Sequence, residues 1–301
     1  MTFASLGILE AQRVVGAILS SVATCIVGSS VYRQTMSLQG YTSTNDVRCL
    51  PEQLVDEIEQ ALVGPHLAVM VYGSQARGSA DAGSDVDVLV VVERSPGSYS
   101  VGRVAVTAYT PAHLHAMAQC SSLFVLHLKS EGVVLEDEHG ILARALSAYV
   151  PMEDFAAHWS SLRDAASVLN VSDGLFATHG QSIARLGLYV LRTALYLRSA
   201  QNGHPHFDMT MAAASTGHDV VRRACELRRA RQFCAPDLRL VARAVEQVLS
   251  IEQGDLLESA HDLEKRAIAM STVSPHASAL LVNVLFGNGA VDYVGLAMAP
   301  W

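Results

Sequence analysis

The stretch Val71 to Val90, VYGSQARGSADAGSDVDVLV, decides how this chain reads. An apolar run delivers Gly73-Ser74, where a missing Cβ and a short hydroxyl let backbone N–H groups approach phosphate oxygens at the start of a helix carrying Arg77. Further along come Asp85, Val86 and Asp87. Side chains alternate along a strand, so the two carboxylates project from one face of it. Paired carboxylates beside a phosphate seat are what two Mg2+ ions need when they bridge a nucleotide's phosphates. Either half alone is ordinary, since Gly-Ser is a common turn and D-x-D recurs on surfaces. Placed together between two strands, they define a candidate site.

Working outward, Leu67 to Tyr72 (LAVMVY) and Val86 to Val92 (VDVLVVV) are short apolar runs closed by Gly73 and by ERSPGS, and both read as buried strands. Arg103 to Tyr109 (RVAVTAY) is a third, stopped by Thr110-Pro111, with a helix from Ala112. Upstream, the polar SLQGYTSTN precedes Pro51, which opens PEQLVDEIEQAL with Leu54, Ile58 and Leu62 at helical spacing. After Val134 the period changes. HGILARALSAYV, SIARLGLYVLRTALYLRSA, DLRLVARAVEQVLSIEQ and DLLESAHDLEKRAIAM repeat apolar residues at three and four, the pattern of a helical bundle. The expected class is α+β. It divides into a mixed β-sheet domain over residues 51–148, an α-helical bundle domain over 149–301 with Pro151 at the boundary, and an N-terminal helical extension over 1–50.

Half of the 301 residues are hydrophobic and 17% are charged, a mixture that fills large cores and excludes general disorder. Acidic residues number 29 against 21 basic, a net charge of −8, which argues against a broad nucleic-acid-binding surface. The five cysteines, Cys25, Cys49, Cys120, Cys225 and Cys234, contain no C-x-x-C pair, so neither a disulfide framework nor a structural zinc site is expected and a reducing cytoplasm fits. Val14 to Tyr32 runs for 19 residues without a charge, but its Ser, Thr and Gly content and the single Arg13 ahead of it make a poor membrane span or signal peptide. A buried amphipathic helix or a misassigned start accounts for it.

The pattern G-S-x-x-x-G with A-R before its second glycine, followed by S-D-V-D-V-L-V, resembles the signature of the polymerase-beta-like nucleotidyltransferase superfamily, in the branch of minimal and antibiotic-modifying enzymes. The resemblance implies that Gly73 and Ser74 hold the β and γ phosphates of a nucleoside triphosphate. It makes Asp85 and Asp87 the catalytic, Mg2+-binding carboxylates, and Arg77 and Ser84 further nucleotide-side residues. Weaker matches run through Thr110-Pro111 and Glu131 to Leu135, so about residues 51–148 are covered. The implied activity is Mg2+-dependent transfer of an NMP, AMP from ATP, to a hydroxyl of an acceptor in the interdomain cleft. The acceptor is read as a small molecule, with a protein or RNA as alternatives, and no membrane is involved.

One position departs from the pattern. The third carboxylate usual on the next strand falls near Ala105, which neither binds a metal nor accepts a proton. Two other readings follow: a catalytically degenerate nucleotide-binding or partner-binding protein, or a toxin–antitoxin or defence component acting on protein or RNA. Thr107, Tyr109, Glu131, Glu153 and Asp154 are available as replacement bases, and nothing in the sequence places any of them at the site. Two lesser features read as structural. Arg222, Arg223, Arg228, Arg229 and Arg231 look like a solvated helix face, and RSAQNGH (Arg198 to His204), a loose match to the R-x4-6-H of HEPN ribonucleases, looks like a helix-capping turn. His127, flanked by apolar residues, reads as a satisfied buried histidine.

Overall fold

The computed structural model describes residues 50–94 and 97–286, so the expected N-terminal extension and the uncharged Val14 to Tyr32 stretch lie outside the described residues. Pro51 starts helix α1 (Glu52–Ala61), whose Leu54, Ile58 and Ala61 are buried. Strand β1 (Ala68–Tyr72) follows, buried at every position, and runs into the short helix α2 (Gly73–Arg77). Strands β2 (Val86–Val91), β3 (Gly97–Val101) and β4 (Val104–Tyr109) come next. Helix α3 (Pro111–Gln119) is capped by Thr110, whose Oγ1 accepts from His113 N. Helix α4 (Leu123–Glu131), strand β5 (Val133–Glu136) and helix α5 (Ile141–Ser147) complete the sheet-containing part.

The strands form one mixed five-stranded sheet in the order β3-β4-β2-β1-β5, with β2 and β4 parallel and the other pairs antiparallel. Both faces are covered, which is why the central strands read as unbroken apolar runs. Val69, Val71, Val86, Val88, Val90, Val104 and Val106 pack with α1 on one face. Met70, Tyr72, Leu89, Val91 and Tyr109 pack with α3, α4 and α5 on the other. The three expected strands are present within a residue of their expected ends, whereas β3 and β5 were not legible. The sequence of β3, GSYSV, is an exposed, mostly polar edge, and β5 has four residues.

The remainder is helical: α6 (Ala156–Ala166), α7 (Asp173–Gln201), α8 (Met209–Ser215), α9 (Asp219–Glu226) with a 3₁₀ turn (Leu227–Arg229), α10 (Ala235–Leu249), α11 (Ala260–Met270) and α12 (Pro275–Leu285). Helix α7, about 43 Å long at 1.5 Å per residue, is the axis of this core. Gly187 lets α10 approach it, since a Cβ there would meet Val241 Cγ1 at 2.6 Å. The helix expected over DLLES begins later, at Ala260, because Ser259 and Asp262 form a capping box and Leu257 is taken by a bridge to Val171. Pro151, the expected boundary, lies in the loop between α5 and α6.

Candidate active site

Gly73 sits where β1 turns into α2, at φ +74°, a left-handed conformation that favours glycine. A Cβ at this position would run into Asp87 Oδ2, so glycine is required both by the backbone and by the carboxylate above it. Asp87 pairs in register with Tyr72 on β1 and with Ala105 on β4. Burial is the same along β2 and β4: only the second residue of each strand, Asp87 in one and Ala105 in the other, is partly exposed. Asp85 lies exposed immediately ahead of β2. The loop before it is closed by Ser84, whose Oγ donates to Asp81 Oδ1 (3.0 Å) and accepts from Asp81 N (2.9 Å). Arg229 reaches the same Asp81 carboxylate at 2.7 Å and, with Ser84, holds it below the usual carboxylate range.

Arg77 is tied down. Its Nη1 donates to Glu131 Oε2 at 2.5 Å, and its Nη2 lies 3.6 Å from Asp208 Oδ2. Glu131 also accepts from His127 Nε2 (3.0 Å) and, through Oε1, from Phe207 N (3.2 Å). Burial acts to raise the Glu131 carboxyl, but His127 and Arg77 outweigh it and hold it low. His127 is buried and its imidazole is pushed down by desolvation, so it is the neutral donor of this pair, stacked on Phe207 at 4.4 Å and edge-on to Tyr72. The segment ahead of α8 is thereby fastened to α2 and α4, and Asp208 caps α8 with Oδ1 accepting from Thr210 N and Met211 N.

All six residues expected at the site, Gly73, Ser74, Arg77, Ser84, Asp85 and Asp87, line one cleft of about 520 Å³. Its other wall comes from the helical part. Arg185, Leu188, Tyr189, Arg192 and Tyr196 follow one face of α7 at spacings of three and four, joined by Phe207, Asp208, Arg228 and Arg229. These cleft residues were missed. Arg228 and Arg229, expected on a solvated helix face, instead sit on the 3₁₀ turn at the cleft, while Arg222 on α9 pairs with Asp219. The readable signal was two arginines seven apart on the otherwise apolar face of α7.

Of the replacement bases available in sequence, none lines the cleft. Thr107 and Tyr109 are buried in β4, Glu131 is consumed by its three donors, and Glu153 and Asp154 lie exposed between α5 and α6. Among the described residues, the carboxylates lining the cleft are Asp85, Asp87 and Asp208. Arg198 donates to Val248 O at 2.6 Å and His204 lies exposed past Gly203, so these two form a helix end.

No group of three or more His, Cys, Asp or Glu side chains among the described residues is arranged to hold a metal ion. Mg2+ keeps several waters and takes one or two carboxylates plus substrate phosphates, so the Asp85–Asp87 pair beside the Gly73 turn fits it. No described helix is long and apolar enough to cross a membrane.

The family model for the nucleotidyltransferase domain matches residues 52–114, from α1 through the Gly73 turn and the carboxylate pair to the first turn of α3. Comparison with curated proteins finds no match. Among solved structures, the chain is similar to a nucleotidyltransferase-like protein from Exiguobacterium sibiricum at 16% identity. That similarity covers 66% of this chain and 72% of that one, with a TM-score of 0.26.

Proposed function

We propose that the cleft binds a nucleoside triphosphate, ATP first among them, and transfers its NMP to a hydroxyl of an acceptor held against the helical wall, releasing pyrophosphate. The observation that carries this reading is the close approach of the Gly73 turn to the Asp87 carboxylate, which sets that turn beside the Asp85–Asp87 pair in one cleft. In this reading residues 51–148 are the transferase domain, 149–301 the helical domain and 1–50 an N-terminal extension. Gly73 and Ser74 present backbone and hydroxyl donors to the β and γ phosphates, and Ser84 sets the loop that aims Asp85. Asp85 and Asp87 would hold two Mg2+ ions, which supply charge neutralisation at the phosphates when bound. Arg77, already committed to Glu131 and Asp208, positions the seat and does not itself bind phosphate. Asp208, whose Oδ2 is loosely held, accepts the proton of the acceptor hydroxyl in place of the absent carboxylate at Ala105.

The test is calorimetric titration of ATP, GTP, CTP and UTP with Mg2+ into the wild-type protein and Asp85→Asn. Metal-dependent binding of one nucleotide, lost in the variant, is the expected result. Binding that survives Asp85→Asn unchanged overturns the metal assignment. The register of Ala105 with Asp87 favours one second reading, a protein that binds nucleotide without turning it over. Nucleotide binding with no acceptor-dependent pyrophosphate release across a broad acceptor screen selects it.

A further inference from the structure

The helical wall is rich in positive charge. Arg185 and Arg192 are two turns apart on one face of α7, about 10 Å along its axis, and Arg228 and Arg229 are adjacent on the 3₁₀ turn. The loop after that turn is pinned to α7 one turn ahead of Arg185. Gln181 Nε2 donates to Phe233 O (2.8 Å) and Phe233 N donates back to Gln181 Oε1 (2.9 Å). The two segments that carry these arginines are therefore held together at one cleft.

Their partners differ. Arg229 is paired with Asp81. Arg228 donates to Thr210 Oγ1 at 3.0 Å, a neutral hydroxyl. Among the described residues Arg185 forms no salt bridge, and its side chain is exposed. The acids lining the cleft already have roles in this reading: Asp85 and Asp87 are the carboxylate pair, and Asp208, whose Oδ1 caps α8, is the base for the acceptor hydroxyl. Holding like charges in one cleft costs self-repulsion that a bound anion relieves, and the guanidinium fork matches phosphate and carboxylate geometry.

We infer that Arg185 and Arg228 form an anion seat on the helical wall, separate from the Gly73–Ser74 turn, for a phosphate or carboxylate group carried by the acceptor. The inference rests on the transferase reading of the cleft and narrows its acceptor to an anionic small molecule. A polycationic acceptor such as an aminoglycoside finds no uncommitted carboxylate there.

The experiment titrates glucose 6-phosphate into the full chain calorimetrically, alone and after saturation with Mg2+ and a non-hydrolysable ATP analogue. The ester is expected to bind in both states, with affinity falling about tenfold in Arg185→Gln and in Arg228→Gln. Arg222→Gln, which removes the same charge outside the cleft, leaves the affinity as it was. Thermal melts check that each variant is folded. The proposal is overturned if the ester fails to bind, if both cleft variants bind it normally, or if kanamycin binds more tightly than the ester. It is also overturned if the ATP analogue displaces the ester, since the arginines then serve the donor's own phosphates. Failure of the transferase reading looks different: the analogue does not bind with Mg2+, while arginine-dependent binding of the ester still upholds the seat.

Discussion

Gly73 answers to two constraints at once, a left-handed backbone and a carboxylate where its Cβ would be. Gly73→Ala therefore combines strain at φ +74° with displacement of Asp87, and it is expected to destabilise the fold by about 1–3 kcal/mol. Urea unfolding measures the first effect. The second appears as at least a tenfold loss of Mg2+-dependent nucleotide affinity, and a variant with wild-type affinity would separate the turn from the site. Asp85→Asn and Asp87→Asn leave the sheet intact, because Asp85 is exposed and Asp87 only partly buried, while abolishing that binding; EDTA does the same to the wild type. These residues were legible because their spacing and alternation are local. Asp208 was not, because nothing in its neighbourhood of sequence says that the N-cap of a seven-residue helix faces Arg77.

At the scale of elements, the contact between α4, α2 and the segment leading into α8 has Glu131 at its centre, with Arg77–Asp208 and the His127–Phe207 stack beside it. Glu131 holds Arg77, His127 and Phe207 N from three different parts of the chain, with only 11% of its side chain exposed. Glu131→Gln keeps the volume but removes the charge that faces Arg77. Breaking a buried pair in this way costs about 3 kcal/mol. Chemical denaturation of the variant tests it, and a loss under about 0.5 kcal/mol would show that the hub does not hold these elements. The periodic helices and apolar strands were read correctly since tertiary packing reinforces their local pattern. The edge strand β3 and the late start of α11 were not, since pairing partners and capping boxes override hydrophobic period.

For the molecule as a whole, three buried histidines set the response to acid. His276, with Oη of Tyr189 at 3.2 Å from its Nε2, is pushed down to about 4 by burial and by the neighbouring His158. His127 and His158 are lowered by burial as well. A histidine whose folded value is depressed takes up a proton in the unfolded chain first. Its stability contribution is thus intact above about pH 6.5 and is lost progressively down to about pH 4. His276 alone accounts for about 3 kcal/mol over that range. Urea midpoints measured from pH 7.5 to 4.5 should fall, with a shallower slope in His276→Phe. An unchanged slope would remove His276 from the account.

The sequence by itself determined the sheet's central strands, the helical character of the second half and the six residues of the Gly73–Asp87 stretch that share the cleft. Each of these depends on alternation, period or a glycine turn, interactions among neighbours in the chain. Only the tertiary structure decided what stands across the cleft. Arg185 shares the cleft with Arg228 and Arg229, whose following loop Gln181 clamps through the Phe233 backbone, and Arg77 is held by Glu131 and Asp208, which arrive from distant segments. Charge acts through space, and its partners are fixed by packing between elements far apart in sequence.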